Sequence, residues 1–235
     1  SIALRCEPWE FREEDIGLLA CQEYGVPIIG TNETHPNVAT FKSVGLLALK
    51  LLLERHFEII GLNVVIIGSN PFGQACADIL DAVGAFTALF NPQASWPNES
   101  VEIALKSADA MVVVEHRHKG ELLGPSTKAM VELLAKRQIP LVHICGSIDI
   151  NYLSAFDVEK YPTNSVPSGF MTLTTAYVGF KPVIDLHTAG LHVASVVTRS
   201  RQRGANIDSA LESAVATGYG LRLIAANKLL TRSSA

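Results

Sequence analysis

The sequence predicts an α/β fold of the doubly wound type, a parallel sheet with helices on both faces, together with a partial second α/β domain. Three observations predict it. Val64 to Ile67 is an unbroken β-branched run, which suits a strand covered on both sides. A turn carrying Gly68 and Gly73 follows, and Phe72, Cys76, Ile79, Leu80 and Val83 then recur at helical spacing. From there short apolar runs alternate with helical patterns as far as Ile144, the rhythm of βαβ units.

From the start of the chain, Ile2 to Leu4 reads as a short strand. Glu13 to Tyr24 reads as a helix ended by Gly25, and Val26 to Ile29 as a second strand. The polar loop from Gly30 to Asn37 follows at that strand's C-terminal end, where ligands of open α/β sheets bind. A helix is predicted from about Val38 to His56, apolar nearly all round and therefore buried between layers.

The central unit runs from Gly61 to Phe90. Strand, glycine turn, helix and second strand (Phe86 to Phe90) make a Rossmann-like βαβ unit whose helix N-terminus can receive a phosphate. Gly68 and Gly73 take the first and third places of G-x-G-x-x-G, and Asn70 takes the middle one, as the next most tolerant residue of a left-handed turn. Pro71 is expected at the first helical position, where a missing N–H costs nothing. Ser69, Pro71 and Phe72 complete the predicted cofactor-binding turn. The second strand ends in Asn91-Pro92 rather than in Asp or Glu, so Asn91 is the expected ribose ligand and NAD or NADP the expected cofactor. The alternative is a packing turn that binds nothing.

Further on, Val101 to Lys106 is a short helix, Ala108 to Glu115 a third strand, Ser126 to Gln138 a helix, and Ile139 to Ile144 a fourth strand. Glu115 and His116 follow the third strand, at the edge where a nicotinamide and substrate would lie. Cys145 and Gly146 follow the fourth. Glu115, His116 and His118 are weighed as a metal site, but no further ligand is spaced nearby. Cys145 is a candidate nucleophile if a neighbouring imidazole lowers its pKa, with a buried packing role as the alternative. His143, inside an apolar strand, is expected to be a satisfied core histidine. Asp157 to Gly179, rich in Pro, Thr, Ser and Gly, reads as extended loop. Val183 to His187 reads as a last short strand, and Leu191–Gln202 and Ile207–Leu230 as closing helices.

Composition sets the bounds. The 235 residues are 48% hydrophobic and 18% charged, with a net charge of −4 and basic residues scattered apart from a short Arg199–Arg203 cluster, a balance that recruits neither nucleic acid nor an anionic membrane. No apolar run approaches a membrane span. Four isolated cysteines argue against a disulfide frame, so a cytoplasmic setting is expected.

The order of landmarks resembles the D-isomer-specific 2-hydroxyacid dehydrogenases. In that family a helix leads into the glycine fingerprint, as Val38–His56 does here. The segment Ile144 to Leu153 is similar to the family's A-R-G-x-x-V-D-x-x-x-L, Asp157-Val158-Glu159-Lys160-Tyr161-Pro162 to D-V-x-x-x-E-P, and His187-Thr188-Ala189-Gly190 to the H-x-A-G that carries the catalytic His. The resemblance implies hydride transfer on a small oxo or hydroxy acid, with His187 as acid/base and Glu159 as the nearest carboxylate to its partner's position. Cys145 stands where the family has its substrate-gripping Arg, and cannot make a bidentate carboxylate grip. Such an activity then needs a cation from elsewhere, Arg117 or Arg5 among them.

The resemblance also implies domains at 1–57 (partial substrate or dimerisation domain), 58–187 (dinucleotide-binding) and 188–235 (helices packing back on the first segment). The chain enters the first of these midway, so an exposed edge near Ile2–Ile29 is expected to be covered in a homo-oligomer, most simply a dimer. A non-catalytic Rossmann protein derived from such an enzyme, binding nucleotide in a regulatory or assembly role, is the alternative function.

Overall fold

The computed structural model describes residues 1–10, 16–38, 40–93, 96–167 and 169–223, with Trp9 as backbone alone. In chain order the elements are β1 (Ile2–Ala3), α1 (Leu18–Glu23), β2 (Ile28–Thr31), α2 (Thr40–Glu54), β3 (Asn63–Ile67), α3 (Phe72–Ala82), β4 (Phe86–Phe90) and α4 (Glu99–Leu105). They continue with β5 (Ala110–Val114), α5 (Lys128–Arg137), β6 (Leu141–Cys145), α6 (Ile150–Ala155), β7 (Lys160–Tyr161), α7 (Lys181–Gln202), α8 (Ile207–Val215) and β8 (Gly220–Arg222).

The chain forms two compact units, one of residues 1–40 with 180–235 and the other of residues 41–179. The sequence had suggested divisions at 57/58 and 187/188. In the second unit five parallel strands lie in the order β4-β3-β5-β6-β7. The chain leaves β3 for β4 on one side, then returns past β3 to β5 on the other. That reversal is the topological switch point of a doubly wound sheet. β5 and β6 are wholly buried, as continuous Val- and Ile-rich runs require when helices cover both faces. One face packs Val65, Ile67, Met111, Val113 and Leu141 against Val101, Leu105, Met130 and Leu134 of α4 and α5. α2 and α3 meet at Gly45, where an added Cβ would lie 2.2 Å from the Ala75 carbonyl oxygen.

Side-chain caps set several helix starts. Asn98 Oδ1 accepts the Ser100 N–H (2.9 Å) before α4, and Asp149 Oδ1 accepts the Tyr152 N–H (2.9 Å) before α6. α6 and β7 were not anticipated. They lie where the sequence offered too few periodic residues to distinguish a one-turn helix and a two-residue strand from loop.

The first unit has a three-stranded sheet, β1-β2-β8, with β1 and β2 parallel and β8 antiparallel to β2. α7 and α8 pack on it, with Ile29, Val193, Val197, Ala210 and Ala214 as their shared core. This is a second, smaller α/β unit. Two expectations fail here. Val183–His187 is not a strand but lies within the 22-residue α7, because Pro182 suits a first helical turn and Ala189, Gly190, Val193 and Val197 bury one helical face. The helix from Ile207 stops at Val215, and Gly218 at φ +80° turns the chain into β8; the part of that expectation beyond residue 223 lies outside the described residues. α1 starts at Leu18, and residues 13–15 of the expected helix are likewise outside them.

No helix among the described residues is long and apolar enough to cross a membrane.

Candidate functional site

The turn after β3 sits at the switch point, and its two glycines explain each other. A Cβ on Gly73 would lie 2.5 Å from the Gly68 carbonyl oxygen and 2.8 Å from Leu89 Cδ1, while one on Gly68 would meet Val114 and Gly73 Cα. The first turn of α3 is thereby pressed onto the strand end, as the third glycine of a dinucleotide fingerprint requires. Asn70 is exposed, and it does not take the left-handed conformation expected of the middle position, since its φ is not positive. Pro71 lies one position earlier than expected, at the N-cap, with Phe72 the first helical residue.

Glu115 occupies the inner side of this turn. It follows β5, is 1% exposed, and its carboxylate accepts four hydrogen bonds. The Ser69 N–H donates to Oε2 (2.6 Å) and the Ser69 hydroxyl to Oε1 (2.9 Å). The backbone N–H groups of Arg117 (2.6 Å) and His118 (2.8 Å) donate to Oε1. An ionised carboxylate is acceptor-only, and here every partner is a donor.

His116 lies beside it. Its ring packs on Phe72 with centroids 3.9 Å apart, and Phe72 in turn packs on Phe41 at 5.5 Å. Burial lowers the His116 pKa from 6.5 to about 4, and the Glu115 charge only partly opposes this. The imidazole is therefore neutral near pH 7.

Cys145 and Gly146 reach the same end of the sheet. The Glu115 N–H donates to the Cys145 carbonyl (3.1 Å), and Gly146, at φ +119°, leaves no room for a Cβ beside Leu122. Cys145 is 2% exposed, a poor position for a nucleophile. His143 Nε2 donates to the Gly146 carbonyl (3.0 Å), but its buried Nδ1 has no hydrogen-bond partner among the described residues, so this core histidine is only half satisfied. Asn91 spends its Oδ1 on the Gln93 N–H (3.0 Å) in a local turn. Among the described residues no group of three or more His, Cys, Asp and Glu is placed to hold a metal ion.

Glu159 is exposed and paired with Arg55 in the second unit. Beside it Glu54 accepts the hydroxyls of Tyr161 (2.7 Å) and Tyr177 (2.9 Å), and the Lys50 ammonium sits 3.8 Å above the Tyr177 ring. The Glu54 hydrogen bond raises both tyrosine pKa values.

His187 belongs to the first unit. Its Nδ1 donates to the Val183 carbonyl (2.7 Å), which leaves the Nε2 lone pair to accept from Arg5 Nη1 (2.6 Å). A Cβ added at Gly190, one turn further along α7, would lie 3.8 Å from Arg5 Cγ and 3.5 Å from the Thr31 hydroxyl oxygen. A cation thus stands beside His187, and it is one of the two arginines named from the sequence. The other, Arg117, lies in the second unit. No local pattern links Arg5 to His187, since they are 182 positions apart.

The close approach of Gly68 and Gly73 matches the fingerprint, but the turn's supply of amides does not. Of the four residues between the glycines, Ser69 gives its N–H to Glu115 and Pro71 has none. At most Asn70 and Phe72 remain to meet a phosphate.

No protein-family model matches the sequence, and no curated protein matches it. Solved structures do match. The pyruvate reductase of Chlamydomonas reinhardtii is 22% identical, with 67% of this chain and 54% of that one covered and a TM-score of 0.45. The NAD+-bound 3-phosphoglycerate dehydrogenase of Entamoeba histolytica is 10% identical (79% and 69% covered, TM-score 0.46). The NAD-dependent formate dehydrogenase of Staphylococcus aureus, in complex with NAD, is 14% identical (77% and 67% covered, TM-score 0.43). Many of the matched structures are D-2-hydroxyacid dehydrogenases. The chain spans about half the length of the Chlamydomonas enzyme.

Proposed function

We propose that this chain is an oxidoreductase of the dehydrogenase type, using NAD or NADP and acting on a small oxo or hydroxy acid. The observation that carries the reading is the Arg5–His187 pair. With its Nδ1–H given to the Val183 carbonyl, the His187 ring has one basic nitrogen, Nε2, and its lone pair accepts from the Arg5 guanidinium. When the guanidinium turns from Nε2 to grip the carboxylate of an acid, the released Nε2 takes or returns the proton of its hydroxyl group. The glycine pair at the switch point of the second unit supports the nucleotide part of the reading. The bound cofactor would supply or accept the hydride, and the chain's own residues handle the acid and the proton.

Cys145 has no part in this scheme because it is buried, and Glu159 has none because Arg55 holds it. A homo-dimer in the cytoplasm, with only the small acid and cofactor as further partners, completes the proposal.

The test has two steps. A thermal-shift screen with NAD, NADH, NADP and NADPH reads binding, since a ligand at 100 times its dissociation constant adds about 2.7 kcal/mol. Turnover of a panel of 2-oxo acids by wild type, His187→Ala and Arg5→Ala then reads the pair. His187→Ala is expected to lose at least a hundredfold in kcat, and Arg5→Ala to raise KM for the acid. Unchanged turnover in both variants contradicts the assignment.

A second reading is favoured by Glu115 and Pro71. A turn short of amides suits a Rossmann protein that has kept the fold and lost the chemistry, serving in regulation or assembly. Failure of all four nucleotides to shift the melting point would select it.

A further inference from the structure

The glycine turn and Glu115 are normally read as parts of one cofactor site, yet here they satisfy each other. A helix N-terminus reached through a glycine turn attracts an anion. In this protein the anion is already supplied. The Glu115 carboxylate is 1% exposed, and it takes the Ser69 N–H, the Ser69 hydroxyl and the N–H groups of Arg117 and His118, all at 2.6–2.9 Å. The tilted Phe72–His116 ring contact lies against the same turn. Pro71 removes one further donor.

We infer that Glu115 is an internal occupant of the anion seat at the Gly68–Gly73 turn, so that a phosphate-bearing ligand gains the Ser69 N–H and hydroxyl only by displacing this carboxylate. A carboxylate and a phosphate cannot share one amide, and two like charges at that distance repel. The seat therefore favours its own side chain, and a dinucleotide binds against an internal competitor. Glu115 acts here as a specificity-determining residue, which sets how strongly any anion competes for the turn. This rests on the proposed dehydrogenase reading only for the identity of the displacing ligand.

Removing the side chain by Glu115→Ala leaves three N–H groups and a hydroxyl around a carboxylate-sized gap. The experiment compares full-length wild type and Glu115→Ala in two assays. In the first, melting temperature is followed against acetate and inorganic phosphate, with chloride at matched ionic strength. Acetate and phosphate are expected to raise the melting point of Glu115→Ala by several degrees and to leave wild type unmoved. In the second, NADH is titrated by fluorescence, and Glu115→Ala is expected to bind at least tenfold more tightly than wild type.

Equal anion responses in the two proteins overturn the inference. So does equal NADH affinity, while leaving the cofactor reading intact. Selective rescue of Glu115→Ala by acetate and phosphate, with NADH binding neither protein, supports the occupied seat and removes the dehydrogenase reading. Should Glu115→Ala fail to fold, Glu115→Gln keeps the volume and sets an NH2 against the Ser69 or Arg117 donors. Its NADH affinity is then expected to exceed that of wild type, and an unchanged value overturns the inference.

Discussion

His143 makes the second unit's stability depend on pH in a way that can be worked out in advance. The imidazole is 2% exposed, its Nε2–H is given to the Gly146 carbonyl, and its Nδ1 has no partner among the described residues. A proton added at Nδ1 would be buried without an acceptor. Burial accordingly lowers the pKa from 6.5 to about 4, and the nearby Lys160 charge acts in the same direction. The unfolded chain then binds the proton more readily than the folded one. Stability is full above the unfolded value and is lost as pH falls from 6.5 toward 4. The full difference is roughly 3 kcal/mol at 1.36 kcal/mol per pKa unit, of which about 2 kcal/mol is gone by pH 5. His116 shifts in the same direction, so wild type alone cannot isolate the effect. The comparison is with His143→Gln, whose amide NH2 can still donate to Gly146 and which does not titrate. Urea unfolding of both proteins at pH 7, 6 and 5 gives the difference in stability at each pH. Wild type is expected to lose about 2 kcal/mol relative to the variant between pH 7 and 5. A difference that stays constant across that range refutes the reasoning.

Three further outcomes follow from the packing. Gly73→Ala sets a Cβ 2.5 Å from the Gly68 carbonyl oxygen, and is expected to cost about 1–3 kcal/mol in urea unfolding despite alanine's better helix propensity. Gly45→Ala meets the Ala75 carbonyl at 2.2 Å, and is expected to destabilise by a similar ~1–3 kcal/mol by forcing α2 away from α3; a neutral result would show that the helices can part freely. Glu54→Ala removes the acceptor shared by Tyr161 and Tyr177, so a spectrophotometric titration of the tyrosines is expected to move to lower pH; an unmoved curve would contradict the shared bond.

Much of the second unit was legible because its signals are local. The β-branched run of β3, the helical period of α3 and the paired glycines each lie within a few residues, and the structure puts them where the pattern does. The first unit was harder to read. Ile184-Asp-Leu-His187 alternates apolar and polar like a strand over four residues, and only the longer period through Val197 reveals a helix. β8 exists because it pairs with β2, which is distant in sequence, and no local propensity announces that partner.

The site divides the same way. Gly68 and Gly73 were readable from their spacing. The Glu115 contact with Ser69 spans 46 positions and the Arg5 contact with His187 spans 182, so both depend on the tertiary fold. Asn91 stands at the predicted strand end, and the turn its Oδ1 closes on the Gln93 N–H is local.

The most direct measurement is a crystal structure of the protein grown with saturating NADH. The account predicts a pyrophosphate over the Gly68–Gly73 turn, with the Glu115 carboxylate withdrawn from the Ser69 N–H. Density showing Glu115 still bound to Ser69 and nucleotide absent from the turn would contradict it.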